Sequence, residues 1–236
     1  MQRVEALASL SRAETYNEQT SAYTAQVPSH AAVDRRAGDK LTAKRAFDII
    51  AAFLALVLLA PLFLLVIALI KATSPGPAFF RQARYGRGGG TFRIWKFRTM
   101  RVAEQDPSGV AQTRPGDPRV TVVGRFLRQT NIDELPQLLN VLVGDMSLVG
   151  PRPHVPGMLA GGRLYEDLVP RYFERLAARP GLTGLAQVNG CRGPTDDATA
   201  ARRRIAYDLL YIRKQSFALD LKIVLLTLWS QSRSGC

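Results

Sequence analysis

The chain has 236 residues and a formal net charge of +13, and arginine is far more frequent than lysine. A forked guanidinium suits phosphate oxygens, so this charge favours nucleic acid, an anionic membrane or a phosphorylated small molecule as partner. The length suggests one core domain with tails. The two cysteines, Cys191 and Cys236, lack metal-ligand spacing, which argues against a disulfide framework and favours a reducing compartment.

Residues 1–43 are rich in Ser, Thr, Ala, Gln and Arg. They hold no apolar run of the kind that a secretory signal peptide requires. We expect a disordered polar tail on the cytosolic side, because little in it can build a core. A short helix docked on the domain is the alternative.

An uncharged segment, residues 49–70, follows the tail. Its 22 residues would reach roughly 33 Å as a helix, enough to cross a bilayer. Basic residues lie at both ends, Arg45 before and Lys71 after, without the imbalance expected of a simple span. Pro61 lies near the middle, and proline kinks or breaks a helix. A re-entrant helix, break and helix over residues 44–75 and a straight span fit this pattern about equally well, and a buried core helix fits it less well.

Residues 76–236 predict a compact cytosolic domain of the α+β class, mostly helical with a small β-hairpin. Two β-rich runs, 78–84 and 91–99, flank a glycine-rich connection typical of a hairpin. Strand alternation places Lys96 and Arg98 on one face. That face is either a phosphate-binding edge or an ordinary solvated surface.

A polar stretch with Pro and Gly, residues 101–118, predicts a surface loop. Arg125 and Arg128 follow it, three positions apart on one helical face. Both arginines lead into an acidic pair, which needs an explanation in so basic a protein.

The acidic pair is Asp133 and Glu134, and Pro136 fits the first turn of the helix that follows it. The positive end of that helix and the nearby arginines predict ionised carboxylates with low pKa values. Such a carboxylate is a poor general base but can act as a nucleophile or metal ligand. Without other context, simple N-capping by Asp133 is the favoured interpretation, because caps are common and catalytic acidic pairs are rare.

Three later segments are less specific. Glycines punctuate residues 179–190, which indicates a loop that wraps a phosphate or nucleotide, or an ordinary turn. The arginine run 202–204 indicates a solvated helix face or a contact with anionic lipid. The apolar stretch 217–229, which includes Asp220, predicts an amphipathic helix at the membrane interface or in the core.

Six motifs, in this order, resemble those of the monotopic phosphoglycosyl transferases, bacterial sugar transferases that start exopolysaccharide or related glycan assembly. They are Lys44-Arg45-Ala46-Phe47-Asp48, the apolar segment with its central proline, Lys96-Phe97-Arg98-Thr99-Met100, Asp133-Glu134-Leu135-Pro136-Gln137, Gly144-Asp145-Met146-Ser147-Leu148-Val149-Gly150-Pro151-Arg152-Pro153 and Arg179-Pro180-Gly181-Leu182-Thr183-Gly184. The similarity covers about residues 42–230. Each motif is modest alone, but the ordered set is highly specific. The resemblance favours a catalytic acidic pair and a re-entrant segment.

The resemblance implies transfer of a hexose 1-phosphate from a UDP-sugar to polyprenyl phosphate, with UMP released, at the cytoplasmic face of the bacterial inner membrane. Asp133 would be the nucleophile that carries the phospho-sugar, and Glu134 would hold a Mg²⁺ ion that bridges the diphosphate. The implied phosphate-binding residues are Lys96, Arg98, Arg125, Arg128 and Arg152. The implied nucleotide-binding residues are Arg179, Pro180, Gly181, Thr183 and Gly184. Anionic membrane lipids are further expected partners, and a homodimer is left open.

Some features depart from the family pattern or point to other functions. Ala60 stands before Pro61 where relatives often carry a serine whose hydroxyl could satisfy a freed carbonyl. His154 and residues 189–195 resemble members that transfer glucose 1-phosphate. A membrane-tethered nucleic-acid binder is disfavoured because no recognised motif is present and the embedded acids oppose a polyanion. A catalytically silent scaffold that binds lipid or partner proteins is disfavoured by the intact acidic pair.

Overall fold

The computed structural model describes residues 43–102, 116–193, 195 and 197–231. Predictions for the N-terminal tail and for most of the 101–118 loop fall on residues outside these ranges. Helices dominate the described part, which also contains three two-stranded sheets. The prediction of a mostly helical chain with a small β-hairpin is confirmed.

The element bounds follow the chain. The helices are α1 Ala43–Thr73, α2 Val122–Gln129, α3 Gln137–Val143, α4 Tyr165–Leu168, α5 Leu185–Val188, α6 Ala198–Lys214 and α7 Phe217–Gln231. The strands are β1 Phe79–Tyr85, β2 Thr91–Phe97, β3 Ser147–Val149, β4 Leu159–Ala160, β5 Arg163–Leu164 and β6 Gly181–Thr183. Short 3₁₀ turns cover Arg87–Gly89, Ile132–Glu134 and Tyr172–Ala177.

Helix α1 continues through Pro61, so the predicted break is not found as an interruption of the helix. Packing on both sides of the proline explains why the helix persists. Ala52 lies in a buried cluster with Ile94 of the hairpin, and Val66 lies in a second cluster with Phe97. Burial against the domain can outweigh the loss of one backbone hydrogen bond at proline.

The opposite face of α1 is an exposed apolar stripe. Its large members recur at helical spacing: Ile50, Phe53, Leu54, Val57, Leu58, Leu64, Leu65 and Leu69. By length and composition α1 could cross a membrane. The helix therefore packs one side on the protein along its length and leaves the other as a continuous apolar surface.

Polar contacts tie the start of α1 to distant parts of the chain. Lys44 Nζ lies 2.7 Å from Asp220 Oδ2 of α7. Arg45 donates hydrogen bonds to two of the last carbonyls of α3, where a helix has unpaired acceptors. Asp48 accepts a hydrogen bond from the backbone of Leu148. The side chains of residues 44–48 therefore connect the start of the apolar helix to the globular part.

The predicted hairpin is present, with β1 antiparallel to β2 and Phe79 opposite Phe97. The second strand ends two residues earlier than predicted, so Arg98 lies beyond it. The arginine side chain donates to the carbonyls of Ser74 and Pro75, at 2.7 and 2.6 Å. Arg98 therefore fastens the segment after α1 to the hairpin.

Strands β3 and β6 form a parallel pair that the sequence analysis did not predict. Gly150 N donates to Thr183 O at 2.9 Å just beyond the paired residues. A Cβ atom on Gly150 would overlap the carbonyl of Arg179, and one on Gly181 would overlap the backbone of Gly150. Two facing glycines therefore allow the two segments to approach closely.

The two C-terminal helices refine the predictions for their segments. Arg204 of α6 is buried and donates to Gly193 O, so the run 202–204 is not a wholly solvated face. In α7, Asp220 and Ile223 are buried while Leu225 and Trp229 are exposed. The helix is largely apolar on its exposed side and buries the charged Asp220, so a polar face opposite an apolar one is not seen among its described side chains, and its place at the membrane interface stays a prediction.

Candidate active site

A change of backbone direction places the acidic pair between α2 and α3. Asn131 adopts the left-handed conformation (φ 57°), which ends the approach from α2. Asp133 and Glu134 lie in the 3₁₀ turn that follows, and α3 begins directly after Pro136, as the sequence predicted. Within the described part of the chain no side chain caps the start of α3, so the N-capping interpretation of Asp133 is not realised.

Glu134 is held by two cations from different elements. Lys96 Nζ of β2 lies 2.7 Å from Oε1. The two terminal nitrogens of Arg152 donate to Oε1 and Oε2 at 2.6 and 3.0 Å, a bidentate arrangement. Burial alone would raise the pKa of Glu134, but Arg152 and Lys96 outweigh it and hold this pKa well below its ordinary value. Glu134 is therefore a fixed anion, as expected.

Asp133 is different: its side chain is buried, with only 7% of the residue's surface exposed. No hydrogen bond to its carboxylate comes from the described part of the chain. Burial, with a contribution from the charge of Glu134, raises the pKa of Asp133 to about 6, although Lys96, Arg128 and Arg152 oppose the shift. The prediction of a low pKa for this residue is wrong, because desolvation outweighs the nearby cations. The carboxylate is still mostly ionised at neutral pH.

Arg152 projects from a rigidly held segment of backbone, residues 151–154. The backbone carbonyl oxygens of the four residues, taken in chain order, accept hydrogen bonds from Gly181 N, the Arg175 side chain, the Arg84 side chain and Tyr85 N. The flanking prolines further restrict the backbone. Arg152 is therefore presented to Glu134 from a fixed support.

The support continues inward, and apart from His154 the residues that form it were not selected from the sequence. Arg175, which donates to Arg152 O, also forms a buried ion pair with Asp208 of α6 at 2.8 Å. His154 is buried, with Nδ1 3.2 Å from the hydroxyl of Tyr172. Burial and the surrounding arginines hold the pKa of His154 well below its ordinary value, so its ring is neutral. Arg175, Asp208 and Tyr172 brace the segment, and none of the three lies in a motif that was selected from the sequence.

Three of the five predicted phosphate-binding residues lie at or near the acidic pair, and two do not. Lys96 and Arg152 contact Glu134, and Arg128 lies near enough to lower the pKa of Asp133 while donating to the hydroxyl of Thr99 at 2.9 Å. Arg125 is exposed on α2 and does not contact the pair. Arg98 is buried in the contacts with the segment after α1. The prediction is corrected for Arg98, which has a structural role, and Arg125 is not brought into the site.

Of the five predicted nucleotide-binding residues, one lines the cavity next to the acidic pair and four do not. Only Thr183 lines the cavity next to the pair. Arg179 donates to Gly144 O at 3.0 Å, and Pro180 O accepts from Ser147 N. Gly181 and Gly184 lie against the backbone of Gly150. Four of the five therefore build the β3–β6 contact instead of facing the cavity.

That cavity has a volume of about 360 Å³. Glu134, Arg152 and Arg192 line its charged end. Burial lowers the pKa of Arg192 and the charge of Arg152 lowers it further, while Glu134 opposes the shift, so the three groups lie close together. The sequence analysis did not select Arg192, because a single arginine beside glycines carries no distinctive pattern.

Glu134 is also the residue expected to bind Mg²⁺. The described residues contain no group of three or more His, Cys, Asp or Glu side chains that could hold a metal ion. Mg²⁺, however, is usually bound through one or two carboxylates together with substrate phosphates and water. Glu134 fits that requirement as a single oxygen ligand, shared with Lys96 and Arg152. The residues are compatible with a metal that arrives with a diphosphate.

The sequence is similar to known proteins over most of its length. A family model described as "Bacterial sugar transferase" matches residues 39–234. The exopolysaccharide production protein PSS of Rhizobium leguminosarum bv. phaseoli is 54% identical over 195 residues, which cover 83% of this chain and 98% of that protein. A UDP-glucose:undecaprenyl-phosphate glucose-1-phosphate transferase of Caulobacter vibrioides is 56% identical over 184 residues, 78% of this chain and 67% of the relative.

Another relative is longer. The protein of the same description from Klebsiella pneumoniae is 49% identical over 192 residues, which are 81% of this chain but only 40% of that protein. The chain therefore spans less than half of this longer relative.

Proposed function

Because the chain belongs to the bacterial sugar transferase family, we propose that it transfers a hexose 1-phosphate from a UDP-sugar to polyprenyl phosphate and releases UMP. The names of the Caulobacter and Klebsiella relatives favour glucose as the sugar and undecaprenyl phosphate as the acceptor. The Rhizobium relative favours exopolysaccharide assembly as the purpose. The carrying observation is a buried Asp133 whose carboxylate accepts no hydrogen bond from the described residues, next to a Glu134 that two cations hold.

The chemistry begins at Asp133. A carboxylate oxygen of Asp133 attacks the sugar-linked phosphorus of the donor, and the bond from that phosphorus to the bridging oxygen breaks. The electron pair leaves with UMP, and the phospho-sugar is held as an acyl phosphate. An oxygen of polyprenyl phosphate then attacks the same phosphorus, and the Asp133 carboxylate is released. This covalent route divides one difficult transfer into two easier ones.

The environment of Asp133 suits a nucleophile. Burial raises its pKa to about 6, so the carboxylate is ionised at neutral pH yet more basic than an ordinary aspartate. Hydrogen bonds that would stabilise the resting anion are absent from the described residues. The charge is therefore poorly satisfied before the reaction, which favours attack on a neutralised diphosphate.

The cations prepare the diphosphate for this attack. Lys96 and Arg152 lie on Glu134 and can share their remaining donors with phosphate oxygens. Mg²⁺, bound through Glu134 and the donor, would withdraw negative charge from the diphosphate. Removing Mg²⁺ with a chelator should abolish UMP release, and adding it back should restore activity.

The direct test is a substitution at the nucleophile. Asp133→Asn should reduce UMP release from UDP-glucose in the presence of undecaprenyl phosphate by at least about 10³-fold. The matched control is Asp167→Asn, which changes an exposed aspartate on α4. Incubation with donor alone should add the mass of one hexose phosphate to the parent protein but not to Asp133→Asn. Turnover of Asp133→Asn near the parent rate would refute the assignment.

We also propose that α1 re-enters the membrane, with both ends at the cytoplasmic face of the inner membrane. Lys44 at the start of α1 contacts α7, and the residues after its end contact Arg98 of the same domain. Because the globular part also packs along the length of α1, a straight span that placed one end beyond the bilayer would have to carry part of this domain with it. Single cysteines at positions 40 and 73, in a chain whose native cysteines are serine, should both be labelled from the cytoplasm. Labelling from opposite sides would establish a straight span.

A further inference from the structure

The cavity beside the acidic pair has two chemically different ends. Its charged end contains Glu134, Arg152 and Arg192. Its remaining wall is largely aliphatic and comes from three parts of the fold: Ala51, Ala55, Leu148, Leu182, Val224 and Leu228. A cavity with an anion-binding end and an aliphatic wall fits an amphiphile with a phosphate head.

The aliphatic wall reaches the apolar surface of the protein. Leu228 lines the cavity and is 64% exposed, beside the exposed Leu225 and Trp229 of α7. On the other side, Ala51 and Ala55 belong to α1, whose exposed stripe includes Leu54 and Leu58. The cavity is therefore bounded by the two helices that present apolar faces. A ligand could keep its chain in lipid while its head lies next to the acidic pair.

We propose that this cavity is the binding site of the polyprenyl phosphate acceptor, with Arg192 and Arg152 on the phosphate and Ala55 against the first isoprene carbons. This inference rests on the proposed function and assigns a site to one of its substrates. The volume of about 360 Å³ lies at the lower end of ligand pockets, which span roughly 300–1,000 Å³. The cavity admits the head and the first part of the chain, and the rest stays in the bilayer.

The same lining argues against the donor's base as the occupant. None of the described residues that line the cavity is aromatic, so none can stack on uracil. Small aliphatic side chains such as Ala51 and Ala55 suit a branched hydrocarbon better. The nucleotide is then bound elsewhere around Asp133, and the acceptor reaches the acyl phosphate from the membrane side.

The test separates the two substrates. Ala55→Phe should fill the aliphatic part, and Arg192→Gln should remove a cation from the phosphate end. Each variant should raise the KM for undecaprenyl phosphate in lipid nanodiscs at least tenfold. Exchange of labelled UMP into UDP-glucose, which needs no acceptor, should stay within twofold of the parent protein in Ala55→Phe, which leaves the cations of the site unchanged. Leu58→Phe, on the exposed face of the same helix, is the control and should change neither quantity.

Unchanged KM for undecaprenyl phosphate in both variants would overturn the proposal. A matching loss of UMP exchange in folded Ala55→Phe would overturn it too, and would assign the cavity to the donor. Ala55→Leu is a smaller filling variant for use if Ala55→Phe does not fold. Binding of labelled undecaprenyl phosphate without donor gives a separate measure, expected to weaken about tenfold in Ala55→Phe. If the parent protein binds the lipid here but exchanges no UMP, the proposed function fails while the lipid site stands.

Discussion

Arg152 and Glu134 face each other through two parallel hydrogen bonds of 2.6 and 3.0 Å. Only arginine can make this bidentate contact, because lysine offers a single ammonium. Arg152→Lys should therefore lower kcat/KM about 10- to 100-fold, measured by UMP release. Arg163→Lys, at an exposed position on β5, should stay within twofold of the parent enzyme. Equal activity of both variants would show that the bidentate contact between Arg152 and Glu134 is not needed.

The raised pKa of Asp133 predicts the acid limb of the pH–rate profile. The nucleophile must be ionised, so kcat/KM should rise about tenfold per pH unit below its pKa and level off above about pH 6. An ordinary aspartate would give a limb near pH 4. The measurement is initial UMP release at saturating Mg²⁺ between pH 4.5 and 8. A flat profile across this range would contradict the assigned environment.

The same pKa predicts how stability depends on pH. Folding raises the pKa of Asp133 from 3.8 to about 6, so ionisation costs folding free energy above pH 6 and nothing below about pH 4. Asp133→Asn removes this cost and should stabilise the inactive protein by about 3 kcal/mol at pH 8. Thermal unfolding in detergent at pH 8 and near pH 4 should show a higher Tm for the variant only at the higher pH.

The buried pair of Arg175 and Asp208 predicts a large effect far from the reacting atoms. Asp208→Asn leaves a buried guanidinium without its counter-ion, which should cost about 3 kcal/mol of stability. Activity should fall as well, because Arg175 also supports the carbonyl of Arg152. Glu174→Gln in the exposed pair with Arg171 is the control and should leave Tm unchanged. If Asp208→Asn kept the Tm and the activity of the parent protein, the pairing of Arg175 with Asp208 would not be needed to support Arg152.

The close approach at Gly150 predicts a position where even one methyl group is not tolerated. Gly150→Ala would place Cβ into the carbonyl of Arg179, so β3 and β6 must separate, at a cost of several kcal/mol. Gly190→Ala has open space around the new Cβ and only a left-handed backbone (φ 79°), which costs roughly 1–2 kcal/mol. A larger loss of Tm for Gly190→Ala would contradict the packing argument.

Sequence reasoning succeeded where the signal was local. Asp133 and Glu134 are adjacent, and Pro136 marks the start of the next helix, so their placement followed from a few neighbouring residues. The predicted low pKa of Asp133 was wrong because the charges near it can be read from the sequence, whereas its burial depends on the whole fold. The predicted break at Pro61 was wrong at the level of secondary structure for the same reason.

Long-range relationships gave no readable pattern. Arg175 and Asp208 lie 33 positions apart and pair only after α6 has packed. Strands β3 and β6 have three residues each, too few for a period of two to emerge, and their pairing depends on glycines in separate motifs. Such features follow from tertiary contact, which a single sequence does not reveal.

One side of helix α1 completes the hydrophobic interior, including the clusters around Ile94 and Phe97. A shortened chain that starts after Thr73 would lay both clusters open to water and should aggregate, whatever its active-site residues. No water-soluble fragment with transferase activity is to be expected from such truncation. Anchor and enzyme form a single folding unit, so purification has to retain lipid or detergent around the intact protein.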